Sequence, residues 1–325
     1  MPDKLKFGFY WAASCGGCEV AVLDVNEKIL DVVAKADIVL WPVAIDVKYD
    51  DVRAMPDRFM DVCFFNGSVR NSEQEEMAKL MRQKSNALVA FGSCAQYGGI
   101  PGLANLQGRK AILETAYRSE PSVENPAGTM PETRFRAKEG ELTLPKFFDQ
   151  VFPLDRVVDV DYYLPGCPPP VPLILGAVTA IFEGNLPPKG TVLAPAKTLC
   201  DECVRNVHVA KKMPDIKRTW EIQADMEKCF LEQGIICMGP ATRAGCQTRC
   251  INGNHPCTGC MGPSPEVTDQ GARMISALSG ILRVDDEKNL SEQDVAALMN
   301  KIKDPAGTFY TYGLASATVN QRRRK

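Results

Sequence analysis

Thirteen cysteines, eight of them between Cys200 and Cys260, constrain this chain of 325 residues more than any other feature. The stretch that holds the eight is also rich in glycine and proline. Its apolar periodicity is too weak to build a core, so a bound metal centre has to organise it. Three Cys-x-x-Cys pairs occur, Cys15/Cys18, Cys200/Cys203 and Cys257/Cys260. Two residues between thiolates let both sulfurs turn toward one centre, which suits zinc and iron–sulfur clusters alike. Disulfide staples are the poorer reading. Thirteen cysteines in 325 residues fall well short of the ~8–10% found in stapled scaffolds, and a chain this long buries enough surface to hold together without them.

Residues 1–190 read as alternating β and α. Short β-branched and aromatic runs predict strands over 5–11, 37–43, 61–66, 87–91 and 157–164. Helical spacing appears over 20–34, 73–83 and 171–183. Strands separated by such helices need crossover connections, hence a doubly wound parallel sheet covered on both faces, an α/β fold. Residues 107–152 interrupt the alternation with Pro121, Pro126, Gly128 and Pro131 in a polar stretch. They read as a long insertion with one helix, 110–117, whose length argues for function or an interface. Leu186-Pro187-Pro188-Lys189-Gly190 marks a break, so two domains are expected, 1–190 and 191–325. Beyond the break only 224–233, 268–279 and 291–302 read as helical, with Ser291 placed to cap the last.

The charge balance excludes several classes. With 38 basic and 40 acidic residues the net charge is −2, so no global field favours nucleic acid or an anionic membrane. The longest apolar run, 171–182, is much shorter than the ~18 residues of a membrane span. Met1-Pro2-Asp3-Lys4 leads straight into a strand-like run with no apolar h-region, so no signal peptide is expected in the sequence as it stands. A cytoplasmic location is expected, where thiols stay reduced and bind metal more often than they pair. Residues 321–325, Gln-Arg-Arg-Arg-Lys, read as a solvated tail.

The cysteines sort into sets of four. Cys15 and Cys18 directly follow the first expected strand, Cys94 the fourth and Cys167 the fifth. In a parallel sheet these positions lie at the carboxyl ends of strands, where such folds place ligands, so four thiols converge on one point. A thioredoxin-like dithiol at Cys15/Cys18 would leave Cys94 and Cys167 unexplained. Further on, Cys200, Cys203, Cys229 and Cys237 precede Cys246, Cys250, Cys257 and Cys260. Two successive quartets fit the chain order, and spacing alone leaves interleaving, or a zinc ribbon, open. Cys63, inside the apolar third strand, reads as a buried small hydrophobe.

Little else offers chemistry. His208 and His255 lie in no nucleophile or zinc-peptidase motif; His255, beside Cys257, reads as a surface imidazole before a cluster hydrogen-bond partner. Glu19 reads either as a charge tuning a cluster or relaying protons, or as a first-turn acid favoured by the helix dipole. The glycine-rich stretch 92–102 has no nucleotide fingerprint. What remains is a carrier of electrons without catalytic groups of its own.

Three motifs, Cys15-x-x-Cys18-Glu19, Gly92-x-Cys94 and Gly166-Cys167-Pro168-Pro169, resemble the proximal-cluster signature of [NiFe]-hydrogenase small subunits, whose fold a complex I subunit shares. Four further stretches narrow the resemblance: 232–242, Cys257-Thr258-Gly259-Cys260, Asp269-Gln270-Gly271-Ala272 and Gly307-Thr308-Phe309-Tyr310-Thr311. They are similar to the gamma subunits of methyl-viologen-reducing, deazaflavin-non-reducing hydrogenases, which work with heterodisulfide reductase. The resemblance covers essentially the whole chain.

It implies a flavodoxin-like domain with a proximal [4Fe-4S] cluster on Cys15, Cys18, Cys94 and Cys167. A smaller, irregular, cluster-organised C-terminal domain would hold a distal cluster on Cys200, Cys203, Cys229 and Cys237. A medial one would sit on Cys246, Cys250, Cys257 and Cys260. The implied partners are a large subunit that splits hydrogen at nickel–iron, an iron–sulfur adaptor (delta) subunit and the heterodisulfide reductase complex. Electrons would run from proximal to medial to distal cluster, then to the adaptor and a flavin where bifurcation toward ferredoxin occurs. Two departures from uptake-type relatives stand out: Cys200 replaces a histidine ligand, and Cys250 replaces a proline beside a three-iron cluster. More thiolate charge favours a lower potential. The alternatives are a gamma or delta subunit of a deazaflavin-reducing hydrogenase or sulfhydrogenase, a complex I-like quinone-site subunit, and, outside the class, a zinc-organised assembly module.

Overall fold

The computed structural model describes residues 4–207, 212–282 and 291–320; His208 and the basic run 321–325 lie outside them. Among the described residues nine strands occur in chain order: β1 (Leu5–Trp11), β2 (Ala36–Leu40), β3 (Met60–Asn66), β4 (Val69–Asn71), β5 (Ser85–Phe91), β6 (Arg134–Ala137), β7 (Gly140–Thr143), β8 (Phe147–Phe152) and β9 (Tyr162–Leu164). The helices of the first part are α1 (Gly17–Leu23), α2 (Ile29–Lys35), α3 (Tyr49–Ala54), α4 (Ser72–Lys84), α5 (Ser93–Tyr97), α6 (Arg109–Glu114) and α7 (Val171–Phe182). Beyond them come α8 (Arg249–Asn252), α9 (Gln270–Ile281), α10 (Glu292–Met299) and α11 (Pro305–Phe309).

The central sheet has the order β2-β1-β3-β5-β9, and every neighbouring pair is parallel. That is the flavodoxin-like strand order. Side chains alternate across it, and both faces are buried, which is why its strands read as nearly continuous apolar runs. Phe7, Phe9, Phe64, Val89, Phe91 and Leu164 pack with α1, α2 and α7. Tyr10, Cys63, Phe65, Leu88 and Ala90 face the other way, onto α3 and α4. Phe64 is the centre of the first layer, with ring centroids 5.8, 5.1 and 5.7 Å from Phe7, Phe9 and Phe91. Cys63 is fully buried, as expected of a core thiol, and burial pushes its pKa up to about 12.

Several boundaries move. The second strand ends at Leu40, not 43, because Pro42 cannot continue the ladder. The expected strand 157–164 shrinks to Tyr162–Leu164; Asp161 instead turns its carboxylate back onto the Leu88 N–H (2.8 Å). The helix expected over 20–34 breaks at Asn26, whose φ of 53° lies in the left-handed region that asparagine tolerates. The insertion holds α6 and a π-turn as far as Ser119. It also holds an unforeseen hairpin, β6–β7, and β8, which pairs antiparallel with β4.

The expected helix 224–233 does not form, apart from a turn at Leu231–Gln233. Gln233 takes over its backbone instead: Oε1 accepts from Asp225 N (2.7 Å) and Nε2 donates to Asp225 O (3.1 Å). Side-chain bonds of this kind compete with helix. Ser291 does cap α10, accepting from Asp294 N (3.2 Å). A third core is built from Leu199, Met213, Phe230, Ile235, Met274 and Phe309 together with Cys229, Cys237 and Cys257. The turn Leu314–Ser316 comes back to the sheet-bearing part, where Ala315 fits against Gly98 and Gly102, leaving no room for a side chain at Gly98.

Candidate metal centre

The carboxyl ends of β1, β5 and β9 lie on one edge of the sheet, with β3 between the first two, and the segments leaving them carry the first four thiols. Cys18 sits in the first turn of α1, Cys94 in α5, and Cys15 and Cys167 in the loops. Gly92 joins β5 to α5 with a φ of 86°, and a Cβ there would collide with Cys18 Sγ; only glycine lets the backbone come this close. Burial pushes the Cys18 thiol up, and Cys94, Cys167 and Cys15 add to the shift. Cys94 is pushed up to about 12 by burial and then by Cys167 and Cys15, against a hydrogen bond from the Ile100 amide. Cys167 rises through burial and Cys15. Cys94, Cys167 and Cys15 all act on Cys18, so the structure brings the four thiols of the strand ends near one another.

Cys200, Cys203, Cys229 and Cys237 line one cavity. Cys200 rides on the turn Leu199–Asp201, which Thr198 and Asp201 cap reciprocally. A Cβ on Gly239 would lie 3.2 Å from Cys200 Sγ and 3.6 Å from Cys237 Sγ. Cys237 is pushed up to about 11 by burial, with Cys229 and Cys203 contributing, while the Gly239 and Cys257 amides pull it back.

The last four thiols lie between these two groups. Cys260 is pushed up to about 12 by burial, the Cys167 amide opposes, and Cys246, Cys167 and Cys250 raise it. Cys257 is raised by burial, then by Cys237 and Cys260; Cys246 by burial, with Cys250 adding. Contacts run both ways along the series. The Ser93 hydroxyl and the Cys260 carbonyl are hydrogen-bonded, and Cys257 N–H donates to Cys237 Sγ (3.3 Å).

These donor sets fit iron–sulfur groups. Burial disfavours the thiolate, a coordinated metal overcomes that by replacing the proton, and backbone N–H groups aimed at sulfur stabilise the resulting thiolate. Gly17 N bonds Cys15 Sγ (3.4 Å) and Gly259 N bonds Cys257 Sγ (3.4 Å). Among the described residues no three His, Cys, Asp or Glu side chains are placed to hold one metal ion.

Glu19 stands in the first turn of α1, but it is buried. It accepts from Trp41 Nε1 and from Asn66 Nδ2 (3.3 Å), and burial raises its pKa against both bonds. His255 is exposed, and its Nδ1 donates to Pro256 O (2.8 Å). Two buried polar side chains escape a reading of the sequence. Gln270 Nε2 lies 3.0 Å from both Gly259 O and Gly262 O, bracing the loop of Cys257 and Cys260. Arg205 lines the cavity of the second group. A long polar residue close to a Cys-x-x-Cys pair is the available signal for Arg205, whereas Gln270 is legible only once α9 is placed.

A flavodoxin-order sheet with thiols at its carboxyl edge, continued by two thiol groups in series, defines the class of iron–sulfur electron-transfer subunits. Residues 15–181 match the family described as NADH ubiquinone oxidoreductase, 20 Kd subunit. Over 323 residues, 98% of either chain, the protein is 42% identical to the iron–sulfur subunit of the F420-non-reducing hydrogenase of Archaeoglobus profundus. It is 36% identical to the equivalent subunit of the F420-non-reducing hydrogenase of Methanothermobacter marburgensis, across 100% of this chain and 99% of that one. An NAD+-reducing [NiFe]-hydrogenase structure is 27% identical over 57% of this chain and 94% of that chain, with a TM-score of 0.49. The chain belongs to the family of iron–sulfur subunits of F420-non-reducing hydrogenases. It is thus an electron-transfer subunit of an oxidoreductase, and among its described residues no helix is long and apolar enough to cross a membrane.

Proposed function

We propose that this chain relays electrons from a [NiFe]-hydrogenase large subunit through three [4Fe-4S] clusters held by the three thiol quartets. The proximal set is Cys15, Cys18, Cys94 and Cys167; the medial, Cys246, Cys250, Cys257 and Cys260; the distal, Cys200, Cys203, Cys229 and Cys237. When bound, such clusters supply one-electron carriers whose potentials follow ligand charge, burial and hydrogen bonds to sulfur.

The observation that carries the reading is the adjacency of the groups. Cys260 meets Cys167 on one side, and Cys257 meets Cys237 on the other. The chain's own contribution is positional. Ser93 ties the Cys94 turn to the Cys260 carbonyl, Gln270 fixes the loop between Cys257 and Cys260, and exposed Cys15 lies where a partner subunit can approach. We place the boundary between a sheet domain and a cluster-organised domain near residue 190. The acceptor we propose is an iron–sulfur adaptor subunit leading to a heterodisulfide reductase complex and its bifurcating flavin, in the cytoplasm.

Anaerobic purification of the native complex tests this. About twelve iron and twelve sulfide per chain are expected, and stoichiometric zinc without sulfide would overturn it. Cys250→Pro is expected to convert one cubane into a three-iron centre seen by electron paramagnetic resonance. The subunits that co-purify identify the acceptor.

A further inference from the structure

Arg205 is 3% exposed and stands two residues past Cys203, in the wall of the cavity that Cys200, Cys203, Cys229 and Cys237 share. Its hydrogen bonds all go to neutral oxygens. Nη1 donates to Asp225 O (3.2 Å), and Nη2 donates to Ile251 O (3.0 Å) and Asn254 Oδ1 (3.0 Å). The guanidinium carbon lies 4.4 Å from the centre of the Phe230 ring. Among the described residues no carboxylate pairs with it; the Asp225 carboxylate turns away to Glu227 N and Lys228.

A guanidinium does not shed its proton inside a protein. Burying it without an anion is strongly unfavourable, and carbonyl dipoles offset that only in part. The missing anion is therefore to be sought in the same cavity, and the cavity offers four thiol sulfurs.

We propose that Arg205 is the built-in countercharge of the Cys200/Cys203/Cys229/Cys237 group, a positioning residue that raises the potential of the cluster bound there. The inference rests on the cluster assignment proposed above. Each reduction adds a negative charge to a centre already carrying four thiolates, and a fixed cation in a low-dielectric wall favours that added charge. The effect offsets the extra thiolate at Cys200 and makes the distal end of the series the stronger electron acceptor. It sets a downhill direction away from the large subunit. Arg205 also ties Ile251 and Asn254, on the turn of Cys250, so a purely architectural role is the competing explanation, and the two make different predictions.

The experiment uses the native complex carrying Arg205→Gln or Arg205→Lys, purified anaerobically, with each cluster's midpoint followed by electron paramagnetic resonance during redox titration. Glutamine keeps a hydrogen-bond donor and removes the charge; lysine keeps the charge and loses the planar fork. A countercharge lowers the distal midpoint in the glutamine variant, leaves the proximal and medial midpoints in place, and holds the lysine variant close to the parent. Loss of the distal cluster in the glutamine variant with retention in the lysine variant supports the same conclusion. An unchanged distal midpoint in the glutamine variant, equal shifts in both variants, or cluster loss in both overturns it. A parent complex without a distal [4Fe-4S] signal would instead overturn the underlying assignment, which the iron and sulfide count reads separately.

Discussion

Residues 4–190 and the later described residues solve the problem of folding around thiols in opposite ways. In the first, the sheet's two layers are filled by phenylalanine, leucine, valine and methionine, and of the cysteines only Cys18 and Cys63 join those cores. The thiols sit at the edge of a finished fold. In the second, Cys229, Cys237 and Cys257 are members of the core, with Cys203 and Cys246 packed against it. No named strand occurs there among the described residues; isolated bridges such as Thr198–Arg243 stand in for a sheet. A metal group can be hung on a fold, or it can be part of what the fold is made of.

The sharpest way to break that comparison is to remove the metal. Chelation and sulfide loss are expected to strip hydrogen-exchange protection from the amides around Phe230, Ile235 and Met274 while β1, β3 and β5 stay protected, because folding and metal binding are one process only where the thiols are core. Protection lost equally from both regions would end the distinction. The converse comes next in size: Phe64→Ala, at the centre of three other rings, is expected to cost the sheet about 3–5 kcal/mol, measured by denaturant unfolding, with iron content unchanged in protein that folds. Third is Cys63→Ser, which buries a hydroxyl among apolar neighbours at a cost of about 1–3 kcal/mol. Its iron and sulfide should match the parent, since Cys63 stands apart from all three groups.

The smallest effect is a pH dependence confined to the sheet. Burial pushes Asp161 up, but Lys189 (2.6 Å), Arg82 and the Leu88 N–H (2.8 Å) outweigh it and hold the carboxyl below its usual value. A depressed folded pKa gives stability that is fully present above the unfolded value of ~3.9 and is lost as pH falls through the folded one. Acidification below about pH 4 should therefore loosen the Leu88 amide by on the order of 1 kcal/mol, read by hydrogen exchange, and Asp161→Asn should remove that dependence.

The same contrast governs what is legible in the sequence. The first strand can be read to the residue and four others by position, because period-two burial on both faces leaves continuous apolar runs. The convergence of Cys15, Cys18, Cys94 and Cys167 follows from that, since strand ends in a parallel sheet share an edge. The region after 190 has no such frame. The helix expected at 224–233 fails because Gln233 bonds the Asp225 backbone, a choice that propensity does not encode. The spatial grouping of the last eight cysteines, and the place of Arg205 among them, depends on turns whose register only tertiary contacts fix. The β6–β7 hairpin is hidden for a simpler reason: four-residue strands around Gly140 are too short for periodicity to stand out.

The seat of Ala315 between Gly98 and Gly102 carries a consequence for biosynthesis. The central sheet is complete once β9 has left the ribosome, and Cys15, Cys18, Cys94 and Cys167 have all been made soon after. The glycine surface behind Cys94 stays bare until the turn Leu314–Ser316 emerges, far downstream. Domains generally fold as units in the order of synthesis, so a chain cut before Leu314 is expected to keep the central sheet while leaving Gly98 and Gly102 uncovered.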